Sequence, residues 1–278
     1  MAPPIVTLIA MGSGCMKELE LALFSLEQHY AEPPLIYLLT DSASVAKVPR
    51  YGGEIKVRAS LDAYSGLGRN QMCHRKGKIY KDLWTEFMCE KIAVMRWAMD
   101  ENPGRGVWFL DADISLLAPL PEIPAGVDVA LSPHYIRKAD EAKYGRYNGG
   151  LVWCAAPRLL DVWAAASHRS RYHEQAALEQ VASAAERLHE LPIQINFSWW
   201  RVAQAEASAA AVRAQLTSAQ GELLFQGLPL QSIHTHWNQR DGGSIGGFNA
   251  DIWRRLAALG TDKSAAYCAK LSALFGWR

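Results

Sequence analysis

A chain of 278 residues is long enough to bury one sizeable α/β core. Its 29 lysines and arginines face 28 acidic residues, a formal charge of +1, so no global field recruits nucleic acid or an anionic membrane, and a small-molecule partner is expected. No run approaches the roughly 20 apolar residues that a transmembrane segment requires, which excludes a membrane-spanning helix as the organising element.

Taken in order, the apolar run at 5–11 follows two prolines and lacks a basic flank, so it reads as a first buried strand and not as a signal segment. Gly12-Ser13-Gly14 then turns the chain into a helix carrying Leu19, Leu21, Leu23, Phe24 and Leu26. Residues 35–39 form a second buried strand that ends in Thr40-Asp41-Ser42, and 54–59 alternates as a third strand would. Strands alternating with helices imply a mainly parallel sheet. Between 60 and 81 the pattern dissolves into Gly66, Gly68, Arg69, Arg75, Lys76 and Lys78, a candidate mobile loop. Residues 84–99 make a largely buried helix, stopped by Asn102-Pro103-Gly104. Val107-Trp108-Phe109-Leu110 is next, a central strand running into Asp111-Ala112-Asp113. Short strands are expected at 127–131 and 150–153, a helix over the alanine-rich stretch 157–188, and one more strand at 228–233. No internal repeat or linker divides the chain. The five cysteines are odd in number, widely spaced and never C-x-x-C, which points to reduced structural thiols in a cytoplasmic setting.

The acidic pair carries the chemistry. Residues two apart in an extended segment project to one side, so Asp111 and Asp113 can converge on a cation where the strand leaves the sheet, the place where open α/β sheets bind ligands. A hard divalent ion held by two carboxylates keeps open positions that phosphate oxygens can fill, which suits Mg²⁺ or Mn²⁺. An Asp-x-Asp at a strand end often only caps a turn. Here apolar residues precede it at 107–110 and follow it at 114–120, so the acids form a polar island, and buried carboxylates need partners.

The segment from Val107 through Asp111-Ala112-Asp113 to Leu117-Ala118-Pro119 resembles the strand, D-x-D and "leucine, small, proline" signature of nucleotide-diphospho-sugar transferases of the GT-A fold. It is most similar to the retaining enzymes related to glycogenin and to bacterial lipooligosaccharide galactosyltransferases. Three later segments fall in that family's order: Tyr147-Asn148-Gly149-Gly150-Leu151-Val152, His173-Glu174-Gln175-Ala176-Ala177-Leu178, and Ile233-His234-Thr235-His236.

The resemblance implies one GT-A (Rossmann-like) α/β domain, with 1–113 as the nucleotide-binding half and 114–278 as the donor-sugar and acceptor half with C-terminal helices. It implies Mn²⁺ or Mg²⁺ on Asp111, Asp113 and one of His234 or His236. The family often has a basic residue six places after its histidine ligand, and Arg240 stands six places after His234. The family's lysine, proline and tryptophan are here Arg240-Asp241-Gly242, so Arg240 is a departure as well as a candidate phosphate contact. Asn148, Gly149 and Gly150 would line the donor sugar. Glu174 and Gln175 would lie beside the anomeric carbon, although the family usually has aspartate at the position of Glu174. Thr40 and Asp41 would meet base or ribose, and Lys91 would approach the nucleotide.

The implied reaction moves a sugar from a nucleotide-diphosphate donor, UDP-linked in the first instance, to a hydroxyl of a glycan or small acceptor with retention. Blander roles stand beside these: turn capping for Thr40-Asp41, a solvated helix face for Lys91, an acidic helix N-terminus for Glu174. Trp199, Trp200, Trp237 and Phe248 could each face a sugar or belong to the core, and glycines 242, 243, 246 and 247 suggest a flexible loop. Rival readings are a haloacid-dehalogenase-like phosphatase, whose D-x-D-x-(T/S) loop also fits 111–115 but normally follows the first strand, and a non-catalytic nucleotide-sugar binder.

Overall fold

The computed structural model describes residues 3–240 and 242–278; Asp241 lies outside them. The chain opens with β1 (Ile5–Ile9), α1 (Gly12–Glu27), β2 (Leu35–Thr40), β3 (Ile55–Ala59), α2 (Arg69–Cys73), α3 (Leu83–Glu101) and β4 (Val107–Leu110). It continues through β5 (Ile114–Leu116), β6 (Val129–Pro133), α4 (Lys138–Tyr144), β7 (Tyr147–Cys154), α5 (Pro157–Ser167), α6 (Leu178–Ala184), β8 (Leu188–Glu190) and β9 (Phe197–Ser198). It closes with α7 (Trp199–Ala203), α8 (Ala209–Ala214), β10 (Leu216–Ala219), β11 (Glu222–Phe225), β12 (Leu228–Pro229), β13 (Ser232–His234), α9 (Gly243–Ala258) and α10 (Asp262–Phe275).

Seven strands form the main sheet in the order β3-β2-β1-β4-β7-β6-β8, with β7 antiparallel to both neighbours and every other pairing parallel. The mainly parallel, helix-flanked α/β sheet expected for the GT-A class is therefore what the structure has. Strand alternation splits the core in two. Ile5, Ile9, Tyr37, Leu39, Val107 and Phe109 pack under α3 and α5, while Val6, Leu8, Ile36, Leu38, Trp108 and Leu110 pack under α1. A third cluster gathers Trp237, Phe248, Ile252 and Leu271 around α9 and α10.

A small second sheet, β5-β13-β9, positions the site. β13 runs antiparallel to β5 with His234 opposite Ile114, and parallel to β9 with His234 opposite Ser198. That pairing carries a histidine from late in the chain to the residue after Asp113. A register shift between Leu131 and Ser132 then sets Ser132 across from Asn148 at the start of β7.

Several expectations need correction. The stretch 157–188 is not one helix: α5 stops at Ser167 and α6 starts at Leu178, because the polar run between them turns back through His173, at φ 45°, to bring Glu174 and Gln175 inward. The strand expected at 228–233 is two short strands in different sheets, broken at Leu230-Gln231. Residues 60–81 contain α2 and a turn in which the Glu86 carboxylate accepts from the backbone N–H groups of Lys78 and Ile79. Glycines 243, 246 and 247 do not form a loop but open α9, which Phe248 and Ile252 anchor in the core. All five cysteines are free thiols, and among the described residues no helix is long and apolar enough to cross a membrane.

Candidate active site

β4 is buried along its whole length and delivers Asp111 to the end of the sheet, where its N–H donates to the Gly150 carbonyl at 2.7 Å. The chain then turns tightly, with the Ile114 N–H donating to the Asp111 carbonyl at 3.0 Å, so Asp111 and Asp113 face the same side. His234 completes the group. Its Nε2 lies 3.2 Å from Asp113 Oδ1 and 3.9 Å from Asp111 Oδ2, and one ligand atom from each of the three residues falls within 4.8 Å of the others. His236, with more than half of its side chain exposed, reaches the other carboxylate oxygen of Asp113 through Nδ1 at 3.2 Å. Burial raises the Asp113 carboxyl, but His234 and His236 outweigh it and hold the group well below the usual carboxylate range.

Lys91 is not on a solvated face. It is 1 % exposed, and its ammonium donates to Asp111 Oδ1 at 3.1 Å, Glu174 Oε1 at 2.9 Å and the Gly149 carbonyl at 3.1 Å. Burial opposes its charge, yet Asp111 and Glu174 prevail and keep the group above the ordinary lysine range. Glu174, 3 % exposed, thus enters the site as half of a buried ion pair. Gln175 is fixed at both ends: Oε1 accepts from Asn148 Nδ2 at 3.2 Å and from the Gly149 N–H at 3.3 Å, and Nε2 donates to the Tyr144 carbonyl.

These groups line one cavity of about 860 Å³, within the range of small-molecule sites. Lys91, Asp111, Asp113, Asn148, Glu174, Gln175, His234 and His236 all contribute to its wall, as do Trp199 and Trp200, the latter edge-on to the His234 ring at 4.9 Å. Gly149 and Gly150 stand just behind it: a Cβ on Gly149 would come 2.9 Å from Glu174 Oε1. Thr40 and Asp41 are buried at the end of β2 but do not line this cavity, and one Asp41 oxygen accepts from Ser65. Arg240 lines an adjoining cleft with Lys17 and donates to the Gly276 carbonyl. Trp237 and Phe248 are core residues.

No model of a known protein family matches the chain, and no curated protein matches it. Among solved structures, the apo form of mouse xyloside xylosyltransferase 1 is similar to it at 13% identity and a TM-score of 0.49, over 84% of this chain and 97% of that one.

Two cavity residues carry no signal in the sequence. Glu18, 4 % exposed on the inner side of α1, is pushed up to about 9 by burial and the Asp113 charge, which outweigh the backbone N–H groups of Asn238 and Trp237. A glutamate in the run Lys17-Glu18-Leu19-Glu20 of a helix gives no hint of this. The other is His134, whose Nδ1 donates to the Gly145 carbonyl at 2.7 Å and which burial lowers from 6.5 to about 4. A depressed histidine contributes nothing adverse above the unfolded value and costs stability as pH falls from 6.5 towards 4, because the unfolded chain binds the proton first. Over that window the native state should lose about 3 kcal/mol to His134 alone. Urea unfolding of the native protein and of His134→Gln across this range should show a flatter pH slope in the variant.

Proposed function

We propose that the chain is a metal-dependent glycosyltransferase of the GT-A kind, which transfers a sugar from a nucleotide-diphosphate donor to a hydroxyl of a glycan or other small acceptor with retention. The observation that carries this reading is the convergence of Asp111, Asp113 and His234 at the end of β4, inside a cavity large enough for a nucleotide-sugar. Two carboxylate oxygens and one imidazole nitrogen form a donor set that fits a divalent ion, and the mixture of oxygen with nitrogen favours Mn²⁺ over Mg²⁺. When bound there, such an ion supplies charge stabilisation to the departing diphosphate.

The chain's own groups account for the rest of the reading. Lys91 holds Asp111 and Glu174 at fixed separation, so the first metal ligand and the carboxylate next to the sugar move as one unit. Glu174 faces the positive charge that develops on the sugar ring, and Gln175, held by Gly149 and Tyr144, presents a fixed amide beside it. Trp199 and Trp200 offer apolar faces to an acceptor ring. The nucleotide falls to the 1–113 half of the chain and the acceptor to the 114–278 half.

The reading is tested by calorimetry with UDP, GDP, CMP and their sugar conjugates, each with Mn²⁺ and with EDTA. One nucleotide should bind the native protein only with the metal, and the Asp111→Ala, Asp113→Ala double variant should bind none. Failure of every nucleotide, with phosphate release from p-nitrophenyl phosphate, would transfer the two aspartates to a phosphatase reading.

A further inference from the structure

Asn196 sits immediately before β9, fully buried, with a backbone φ of 57°. This is the left-handed region that few non-glycine side chains occupy, asparagine most readily among them. Its side chain lies between His234 and Asn148. Amide and imidazole outlines do not reveal which atom donates, but the neighbouring backbone does.

The Gly150 N–H can only donate, and it lies 2.9 Å from Asn148 Oδ1, which fixes that atom as an oxygen. Asn196 meets the same oxygen at 2.9 Å, so it must present Nδ2 there, and this nitrogen also donates to Ser132 Oγ at 3.2 Å. Its other end is then Oδ1, 2.7 Å from His234 Nδ1, and an acceptor at that distance requires N–H on the ring. Two further anchors give the same polarity. Asn148 Nδ2 faces Gln175 Oε1, itself held by the Gly149 N–H, and faces His134 Nε2, whose partner nitrogen is committed to the Gly145 carbonyl. A neutral imidazole with hydrogen on Nδ1 bears its lone pair on Nε2, the atom that points at Asp113 and Asp111.

We propose that Asn196 is a positioning residue that keeps the ring hydrogen of His234 on Nδ1 and aims the Nε2 lone pair at the two aspartates, while its amide nitrogen locks Asn148 in the donor-sugar wall. A lone pair aimed at two carboxylates, of which only Asp111 has the Lys91 ammonium beside it, is placed to ligate a cation there. This step rests on the metal site proposed above. Asn196 has no contact with the cavity and acts through its two neighbours.

Three variants separate the alternatives. Asn196→Gly removes the amide and accepts the left-handed backbone without strain, Asn196→Asp keeps an acceptor for Nδ1–H, and His234→Gln identifies the resonance. Histidine-selective ¹⁵N spectra of the metal-free protein at alkaline pH should show His234 with hydrogen on Nδ1 in the native chain and in Asn196→Asp, and on Nε2, the form that prevails in free histidine, in Asn196→Gly. Hydrogen on Nε2 in the native protein overturns the proposal.

Titration with Mn²⁺, followed by the paramagnetic resonance of the free ion, reads the consequence. Asn196→Gly should weaken binding roughly 10–100-fold, as removal of a group that orients a ligating histidine does. The same change in a His234→Ala background should cost nothing more, because the effect passes through that ring. Equal losses in both backgrounds mark a general structural effect and overturn the proposal. If the native protein shows the Nδ1–H ring but takes up no Mn²⁺, the metal reading alone fails and the orienting role stands.

Discussion

Lys91→Met is expected to lower the stability of the fold by about 3–5 kcal/mol, the range seen when one partner of a buried ion pair is removed. Methionine fills a similar volume, so little of the loss comes from a cavity. It comes from Asp111 and Glu174, which share one ammonium at 3.1 and 2.9 Å and are left facing each other across it. For a chain of this size the melting temperature should fall by roughly 10 °C. On the transferase reading proposed above, the variant should lose turnover even at temperatures where it is fully folded, since Glu174 and Asp111 are no longer held to one spacing. Differential scanning calorimetry and a single-turnover assay at low temperature separate the two effects. A variant as stable as the native protein would show that the three groups are not an ion-paired unit.

Gly150→Ala should damage the site more than the fold. A Cβ there would overlap His234 Cε1 and lie 2.6 Å from Asp111 Oδ2 and 2.9 Å from Asn148 Oδ1, so one methyl group strikes a histidine, an aspartate and the asparagine behind them. Overpacking of this kind costs about 1–3 kcal/mol of stability. Displacing reactive groups by an ångström costs on the order of 100-fold in rate. Mn²⁺ titration and turnover should both fall by at least that factor while the melting temperature moves only a few degrees. Gly247→Ala serves as the control, because a Cβ there meets only the end of the Arg213 side chain, at 3.7 Å, and the residue does not line the cavity. Retained Mn²⁺ affinity in Gly150→Ala would remove His234 and Asp111 from a shared site.

The sheet was legible in the sequence because parallel strands buried on both faces read as continuous apolar runs, and 5–9, 35–40 and 107–110 do so. Asp111 and Asp113 were legible because their geometry is local to one strand end. His234 could only be narrowed to a choice with His236, since its place is set by pairing with Ile114 in a distant part of the chain. Lys91 stood between a nucleotide contact and a solvated helix face, because lysine on a helix is nearly always solvated and its two carboxylate partners come from other elements. Asn196 and Glu18 belong to segments of mixed polar and apolar letters that mark neither of them, and only the packed structure shows what surrounds them. Glycines 243, 246 and 247 have poor helix propensity, but the anchoring of Phe248 and Ile252 in the core overrides it.

The small sheet β5-β13-β9 joins segments that lie far apart in the chain, and two of the three candidate ligand residues adjoin or belong to it. Closing such long loops is slow, so this corner should be among the last to assemble during folding. Interactions absent from the folding transition state act on unfolding and leave refolding almost untouched. A cation held by Asp111, Asp113 and His234 would therefore work as a latch fastened after the molecule is built: chelation should speed unfolding while the refolding rate stays the same.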